Sequence, residues 1–430
     1  MKNNLNNKFA DIISFFLFIL PATIIAGPFL INLNIAIIST IFFFFCLLKK
    51  DWFLYKNIFI KILIIFLIFI IIRSFFSEYL LFSLSSSIFY TRYIFFSVAI
   101  LFVLKFNKKF FEKFSIIFII TISILIFDGF YQYIYGVDLM GYNLVEMNTP
   151  TGRLSAFFGK ELILGSFLSK ISFLLTAVII MSEFKYKEFI KNFFLILSIL
   201  LTLISGDRTA FVLFCIGYFL YTLFYIDTFR MKIILITLSL ISCAFLIGKD
   251  EIIYNRFIKQ SYNQILYKNL EQNKETAVIS EKKSYNIFSN AHQSHYIAAY
   301  KMFKDNIFFG HGTNTFRFVC REKYNDNFQS CTTHPHNYTL QLLSETGIVG
   351  GIILVSLFFF TIGKLIYERI NYNKKYNKSY NFFILTSISL IINIFPFLPS
   401  GNFFGSSSAN MVFLSFGFYL YALKKLKVNA

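Results

Sequence analysis

The feature that most constrains this chain is an apolar run of membrane length that recurs along nearly all of it, as in "IFIKILIIFLIFIII". A hydrocarbon layer about 30 Å thick is crossed by about 20 residues rising about 1.5 Å each. In lipid, a spanning segment must satisfy its own backbone polar groups, so each run predicts a helix. About twelve runs qualify, at residues 9–26, 28–48, 57–73, 80–104, 112–134, 161–181, 189–205, 209–226, 231–248, 346–366, 380–398 and 406–423. Between the first two, "PATIIAGP" reads as either a turn or a kink. The fold class expected is an all-α polytopic membrane protein. Its composition, 57% hydrophobic with a mean hydropathy of +0.64, excludes an ordinary soluble domain.

The formal charge of +19 could point to nucleic acid, but the basic residues fall in short clusters between apolar runs instead of one basic domain. Membrane topology explains them better, and no nucleic-acid partner is expected. With a cytoplasmic N-terminus, the inner connections carry Lys49, Lys50, Lys56 and Lys61, then Lys105, Lys108 and Lys109, then Lys185, Lys187 and Lys191. Arg230 and Lys232 follow, then Lys364, Arg369, Lys374, Lys375 and Lys378, and finally Lys424, Lys425 and Lys427. The short outer connections, around 26–29, 73–79, 205–208 and 399–405, hold almost no Lys or Arg, as the positive-inside bias requires. Both termini are then expected in the cytoplasm, and no cleavable signal peptide is evident.

This parity divides the chain into residues 1–248, with helices one to nine and a small outer segment at 135–160; an extracytoplasmic loop at 249–345; and residues 346–430, with helices ten to twelve. The loop between helices nine and ten is too long for a connector. One or two short helices are expected in it, the clearest at "SHYIAAYKMFKDN". Cys320 and Cys331 are the two cysteines of that loop, and a disulfide between them is expected on the oxidising side. Cys46, Cys215 and Cys243 lie in apolar runs, where a thiol behaves as a small hydrophobe.

The polar stretch "CTTHPHNYTLQLLSETGIVGG" ends the loop. Pro335 suits the first position of a helix, which would start beside His336 and put Asn337, Gln341, Ser344 and Glu345 on one face. The N–H groups of its first turn would favour a phosphate, leaving His336 beside a bound anion. There His336 reads as a general base or as an interfacial histidine that only hydrogen-bonds a loop. His334 and His336 could suggest a metal, but no further ligand set stands nearby, and neither metal nor cofactor is expected. Gly347, Gly350 and Gly351 read as letting a neighbouring helix approach.

In "SGDRTAF", Ser205 or Asp207 can cap a helix whose first turn carries Arg208. Arg208 reads as a grip on a pyrophosphate, or as a cation that snorkels or pairs with Asp207. Arg153, near Lys160 and Glu161, and Arg92, inside the fourth run, are further candidates for binding substrate. Cations beside a histidine, with few carboxylates, suit a metal-free site for a lipid pyrophosphate.

"HNYTLQLLSETGIVG" resembles the His-[Asn/Ser/Gln]-x9-Gly-x-x-Gly signature of the O-antigen ligase family, with His336, Asn337, Gly347 and Gly350 in register. "DNIFFGHGTNTF" is similar to the Asn-Pro-x-x-Gly-x-Gly segment that precedes it, with Ile307 in place of the proline and His311 between the glycines. The Arg208 segment is similar to an Arg-x3-Leu element, with Val212 at the Leu position. The resemblance implies a GT-C-like, inverting, metal-independent glycosyltransferase at the outer face of the bacterial inner membrane. It implies an undecaprenyl-pyrophosphate-linked glycan as donor and a sugar hydroxyl of lipid A core as acceptor. His336 would activate that hydroxyl or contact the leaving group, Arg208 would bind pyrophosphate, and Arg153, Asn337, Arg92 and His334 would contact substrate. The related O-antigen or exopolysaccharide polymerases use the same donor with a lipid-linked glycan as acceptor. A transporter of lipid-linked glycans is the non-enzymatic alternative, though its polar groups would gather at the midplane.

Overall fold

The structure, a computed structural model, describes residues 2–49, 55, 57–144, 153–225, 229–266, 288–325, 331–371 and 378–429. Apart from an isolated bridge between Val137 and Asn143, the regular structure among these residues is helical. The first nine long helices are α1 (Lys2–Ala26), α2 (Pro28–Lys49), α3 (Ile58–Ser74), α4 (Leu80–Phe106), α5 (Phe110–Tyr135), α6 (Leu164–Met181), α7 (Lys187–Ile204), α8 (Arg208–Phe224) and α9 (Phe229–Lys249). Four short ones follow: α10 (Glu251–Tyr254), α11 (Gln260–Leu266), α12 (Asn290–Asp305) and α13 (Phe316–Lys323). The chain ends in α14 (Tyr338–Ile370), α15 (Lys378–Asn393) and α16 (Ser406–Asn429).

Each expected apolar run falls on one of the long helices. Seven, in α1, α2, α4, α5, α6, α9 and α14, are long and apolar enough to cross a membrane, and α8 is apolar but shorter. This is a helical membrane protein. Gly27, with φ 124°, breaks α1 from α2, and the two helices pack side by side, so "PATIIAGP" contains a turn. At the centre stands α15, buried from Ser379 to Asn393 and packed against α6, α8, α14 and α16. Hydroxyls and amides tie these helices where lipid offers no hydrophobic drive: Ser389 meets Ser415 at 2.9 Å, and Asn393 donates to the Lys170 carbonyl at 3.1 Å.

Two expectations change. Within 249–345, α10 and α11 extend the chain helically from α9 through a π-helical stretch, Asn255–Lys259, beyond the one or two helices foreseen there. Residues 267–287 and 326–330 of that loop, and 145–152 of the small outer segment, lie outside the described residues. The polar helix and the tenth span form one helix, α14, bent at Gly347 (φ 66°, ψ −162°).

That bend seats the loop between α12 and α13. His311 N–H donates to the Ser344 carbonyl at 3.0 Å, Gly312 N–H to Glu345 at 2.8 Å, and Ile348 N–H to Ile307 at 2.8 Å. The two backbones touch. A Cβ on Gly310 would lie 2.4 Å from the Glu345 carbonyl carbon, and one on Gly347 would lie 2.3 Å from the Phe308 oxygen. Gly347 therefore admits a loop, not a neighbouring span, while Gly350 and Gly351 face Thr346 and Leu343 of their own helix. From the other side Arg73 donates to the carbonyls of Phe309 and Gly310, and Ser77 to His311.

Burial of a carboxylate is costly unless it is fully bonded. Glu345, with no exposed surface, accepts from Asn314 N–H and Phe316 N–H at 2.9 Å each and from Gln341 at 3.2 Å, which fixes the N-terminus of α13 to α14. Gln341 also accepts from Phe403 N–H at 2.8 Å and donates to Asn402 at 2.6 Å. The polar face of α14 thus binds other parts of the protein.

Gly347→Ala should lower the thermal midpoint of the detergent-solubilised protein by several degrees, since it adds a positive-φ strain of about 1–2 kcal/mol to a backbone overlap. Gly363→Ala, in the same helix with open space at its Cβ, should be neutral or stabilising. Equal midpoints for the two variants would contradict the close approach.

Candidate functional site

His336 owes its position to the residue after it. Asn337 is the N-cap of α14, its side chain accepting from Leu340 N–H at 3.0 Å, so the helix begins at Tyr338 and Pro335 lies ahead of the cap. The expected first-turn anion site is filled in part by this cap. Asn337 is buried and donates to the carbonyls of Pro396 and Leu398 at 3.3 Å each, bonds that use its amide within the protein.

His336 itself has φ 55°, a left-handed conformation that non-glycine residues seldom adopt. Its carbonyl accepts from Ser400 N–H at 2.9 Å and from the Tyr296 hydroxyl at 3.3 Å, which hold the strained turn. The imidazole joins a cluster: the ring centre of His334 lies 4.1 Å away, and those of His292 and His295 lie 5.5 Å away. Four of the five histidines in the chain therefore meet here. The fifth, His311, bonds the Met302 carbonyl at 3.0 Å and belongs to the loop.

The histidines sit on braced elements. Ser289 caps α12 and its hydroxyl meets Nδ1 of His292 at 2.9 Å; the Thr333 hydroxyl meets Nδ1 of His334 at 2.9 Å. Burial is the main cause that pushes His336 down to about 4 and His334 to about 3, with the neighbouring imidazoles adding to it. Both are neutral at pH 7, able to accept a proton. Among the described residues no three His, Cys, Asp or Glu side chains converge as a metal ion would require.

Three arginines meet at the turn between α7 and α8. Asp207 caps α8, accepting from Ala210 N–H at 3.1 Å, and Arg208 follows with Nη1 3.2 Å from the Ser261 hydroxyl. Arg153 donates to the Leu162 carbonyl at 3.2 Å and stands 3.6 Å from Asp207. Arg256, carried by the π-helical stretch, donates through Nε to the Gly206 carbonyl. A Cβ on Gly206 would touch both the Arg256 and the Arg153 side chains, at 3.0 and 3.6 Å. Burial first, then the charges of Arg153 and Arg208, lowers Arg256 to about 10, which leaves it charged at neutral pH. Arg208 also presses on His292, whose protonated form burial already disfavours. The arginine turn therefore lies within electrostatic reach of the histidine cluster. With Asp207 paired to Arg153 alone among the described residues, the three guanidinium groups leave an excess of positive charge suited to a doubly charged anion.

Arg208, Arg153, His334 and His336 of the sequence reading lie in this region. Arg92 bonds Asn32 at 3.1 Å and the Tyr93 hydroxyl at 3.0 Å, and no contact joins it to the cluster. Cys320 and Cys331 are joined by a disulfide, with Cα atoms 5.5 Å apart. Arg256, His292, His295 and Tyr296 escaped the sequence reading. The i, i+3 spacing of His292 and His295 on a helical pattern was the available signal. Arg256 carried none, since only the fold brings it to Gly206.

No curated protein matches the chain. Residues 193–355 match the family described as O-antigen ligase, a stretch that runs from α7 into α14 and contains Arg208, Arg256, the four clustered histidines and the disulfide. The matched stretch is less than half of the length of the chain.

Proposed function

We propose that this protein transfers a glycan from undecaprenyl pyrophosphate to a sugar hydroxyl of lipid A core, at the periplasmic face of the inner membrane. The family match supports a membrane glycosyltransferase of O-antigen ligase or polymerase type. The observation that carries the finer reading is the pairing of neutral histidines with an arginine triad at one end of the bundle. In this scheme twelve helices cross the membrane with both termini in the cytoplasm, and residues 249–345 form the outer layer over the two groups of spans.

The chemistry follows from these groups. His336 takes the proton of the acceptor hydroxyl as that oxygen attacks the anomeric carbon of the donor. The bond from that carbon to the pyrophosphate oxygen breaks, and its electron pair leaves with the lipid pyrophosphate. Arg208, Arg256 and Arg153 stabilise the negative charge that gathers there. A single displacement inverts the anomeric centre, and the guanidinium groups supply the charge that a divalent ion would otherwise bring. Burial first, then His292 and His295 beside it, keeps the base unprotonated.

Purified protein supplied with the lipid-linked donor and lipid A core should form the transfer product with time and without added metal. Elongation of the lipid-linked glycan alone would assign a polymerase instead, and lipid translocation with neither product would remove the enzyme reading. His336→Ala, Arg208→Ala and Arg256→Ala should each lower transfer about a hundredfold or more while the protein still inserts; near wild-type rates in any of them would strike that residue from the site.

The histidines also set a pH dependence. Their folded pKa values lie below the unfolded value of 6.5, so their contribution to stability is present above 6.5 and is lost as pH falls from there toward about 4. Unfolding midpoints measured across this window should fall with pH in the wild type and fall less in His336→Gln. A flat wild-type profile would mean that the cluster is not buried neutral.

A further inference from the structure

The arginines of the site and of the loop that supports it differ in one respect. Arg153, Arg208, Arg256 and Arg73 each donate to a carbonyl or hydroxyl of the protein. Arg317, in the first turn of α13, makes no hydrogen bond or ion pair among the described residues, and its Nε is buried without a partner. A guanidinium offers five donors, so an unbonded one beside a site is a ready anion ligand.

Its placement is fixed. The guanidinium carbon stands 5.4 Å from the centre of the Phe82 ring, and the next residue, Phe318, packs on Tyr79 and Phe82 with ring centres 4.8 and 4.9 Å away. Glu345 bonds the Phe316 N–H just before it. That carboxylate does not neutralise Arg317 by contact, since its oxygens are taken by Asn314, Phe316 and Gln341. The disulfide then sets the geometry. Cys320 lies one helical turn after Arg317 and Cys331 three residues before His334, so the bridge draws the Arg317 turn to the segment that carries His334. Arg317 and His334 are within electrostatic reach of each other.

His292 and His334 lie 5.5 and 4.1 Å from His336, with Arg208 within electrostatic reach of His292 and Arg317 of His334. On the reading that the arginine triad takes the donor pyrophosphate, a second cation stands near the base on its His334 side. We infer that Arg317, with His334 beside it, binds an anionic group of the acceptor, a phosphate or a carboxylate, and so selects charged sugar acceptors. The inference rests on the glycosyltransferase reading and adds the side from which the acceptor enters. No bond is made or broken at Arg317; it positions the acceptor hydroxyl toward His336.

The test is steady-state transfer by the full-length protein in lipid nanodiscs. The donor is undecaprenyl-pyrophosphate-linked glycan, and the acceptor is lipid A core in native, dephosphorylated and carboxyl-reduced forms. Arg317→Gln should raise KM for the native acceptor about tenfold, the loss expected for a charge-assisted hydrogen bond, and leave donor KM within about twofold. It should also erase the preference of the wild type for the native acceptor over the neutralised form, and which neutralised form loses affinity separates phosphate from carboxylate. Arg317→Lys should restore part of that preference. A change in donor KM instead, an unchanged acceptor KM, or a wild type indifferent to both neutralised acceptors would overturn the assignment while leaving the transferase reading intact. If Arg317→Gln fails to fold, the wild-type acceptor panel and Arg317→Lys decide by the same criteria. Absence of transfer by the wild type from every acceptor would overturn both readings.

Discussion

Glu345 holds the outer layer of this protein to its helical bundle. A carboxylate with no exposed surface is tolerated only when its oxygens are bonded, and here two backbone N–H groups of the 314–316 turn and the Gln341 amide bond them. Those same bonds start α13, and the backbone clasp between 307–312 and 344–348 locks the preceding loop onto the bend at Gly347. The turn before α13 and the disulfide that α13 carries inherit their position from this contact. Removing it would free α13, the disulfide it carries and the segment that leads to His336.

The site couples two opposite electrostatic devices. Burial keeps the imidazoles of His334 and His336 neutral, which a base needs. Nearby, three arginines are held by Gly206, Leu162, Ser261 and Asp207. Each device supports the other, since the positive charge near His292 further disfavours a proton on the cluster. Neutral imidazoles and a group of guanidinium cations thereby share one region of the protein.

Much of the fold was legible in the sequence because lipid permits few solutions. Apolar runs of about 20 residues have to be helices, and every expected run lies on one. The ends of the elements were less legible. The start of α14 went to Asn337 instead of Pro335 because a side-chain cap and two hydrogen bonds to the His336 carbonyl outweigh the local preference of proline. The stripe Asn337, Gln341, Ser344 and Glu345 was correctly read as one polar face, but its partners are the 396–404 segment and the turn before α13. A polar face signals that it must be satisfied without saying by what.

The sequence by itself determined a helical membrane protein, the sidedness bias of its lysines and the two motifs that carry Arg208 and His336, because hydropathy, charge and motif spacing are local properties of the chain. Only the tertiary structure decided that Arg256 joins Arg208, that His292 and His295 join His336, and that Arg92 bonds within its own helices instead. The Arg256–Arg208, His292–His336 and His295–His336 pairings and the Arg92–Asn32 bond span about 40 to 60 residues of chain, and contact at that range is set by how helices pack and loops close over them, which no local pattern records.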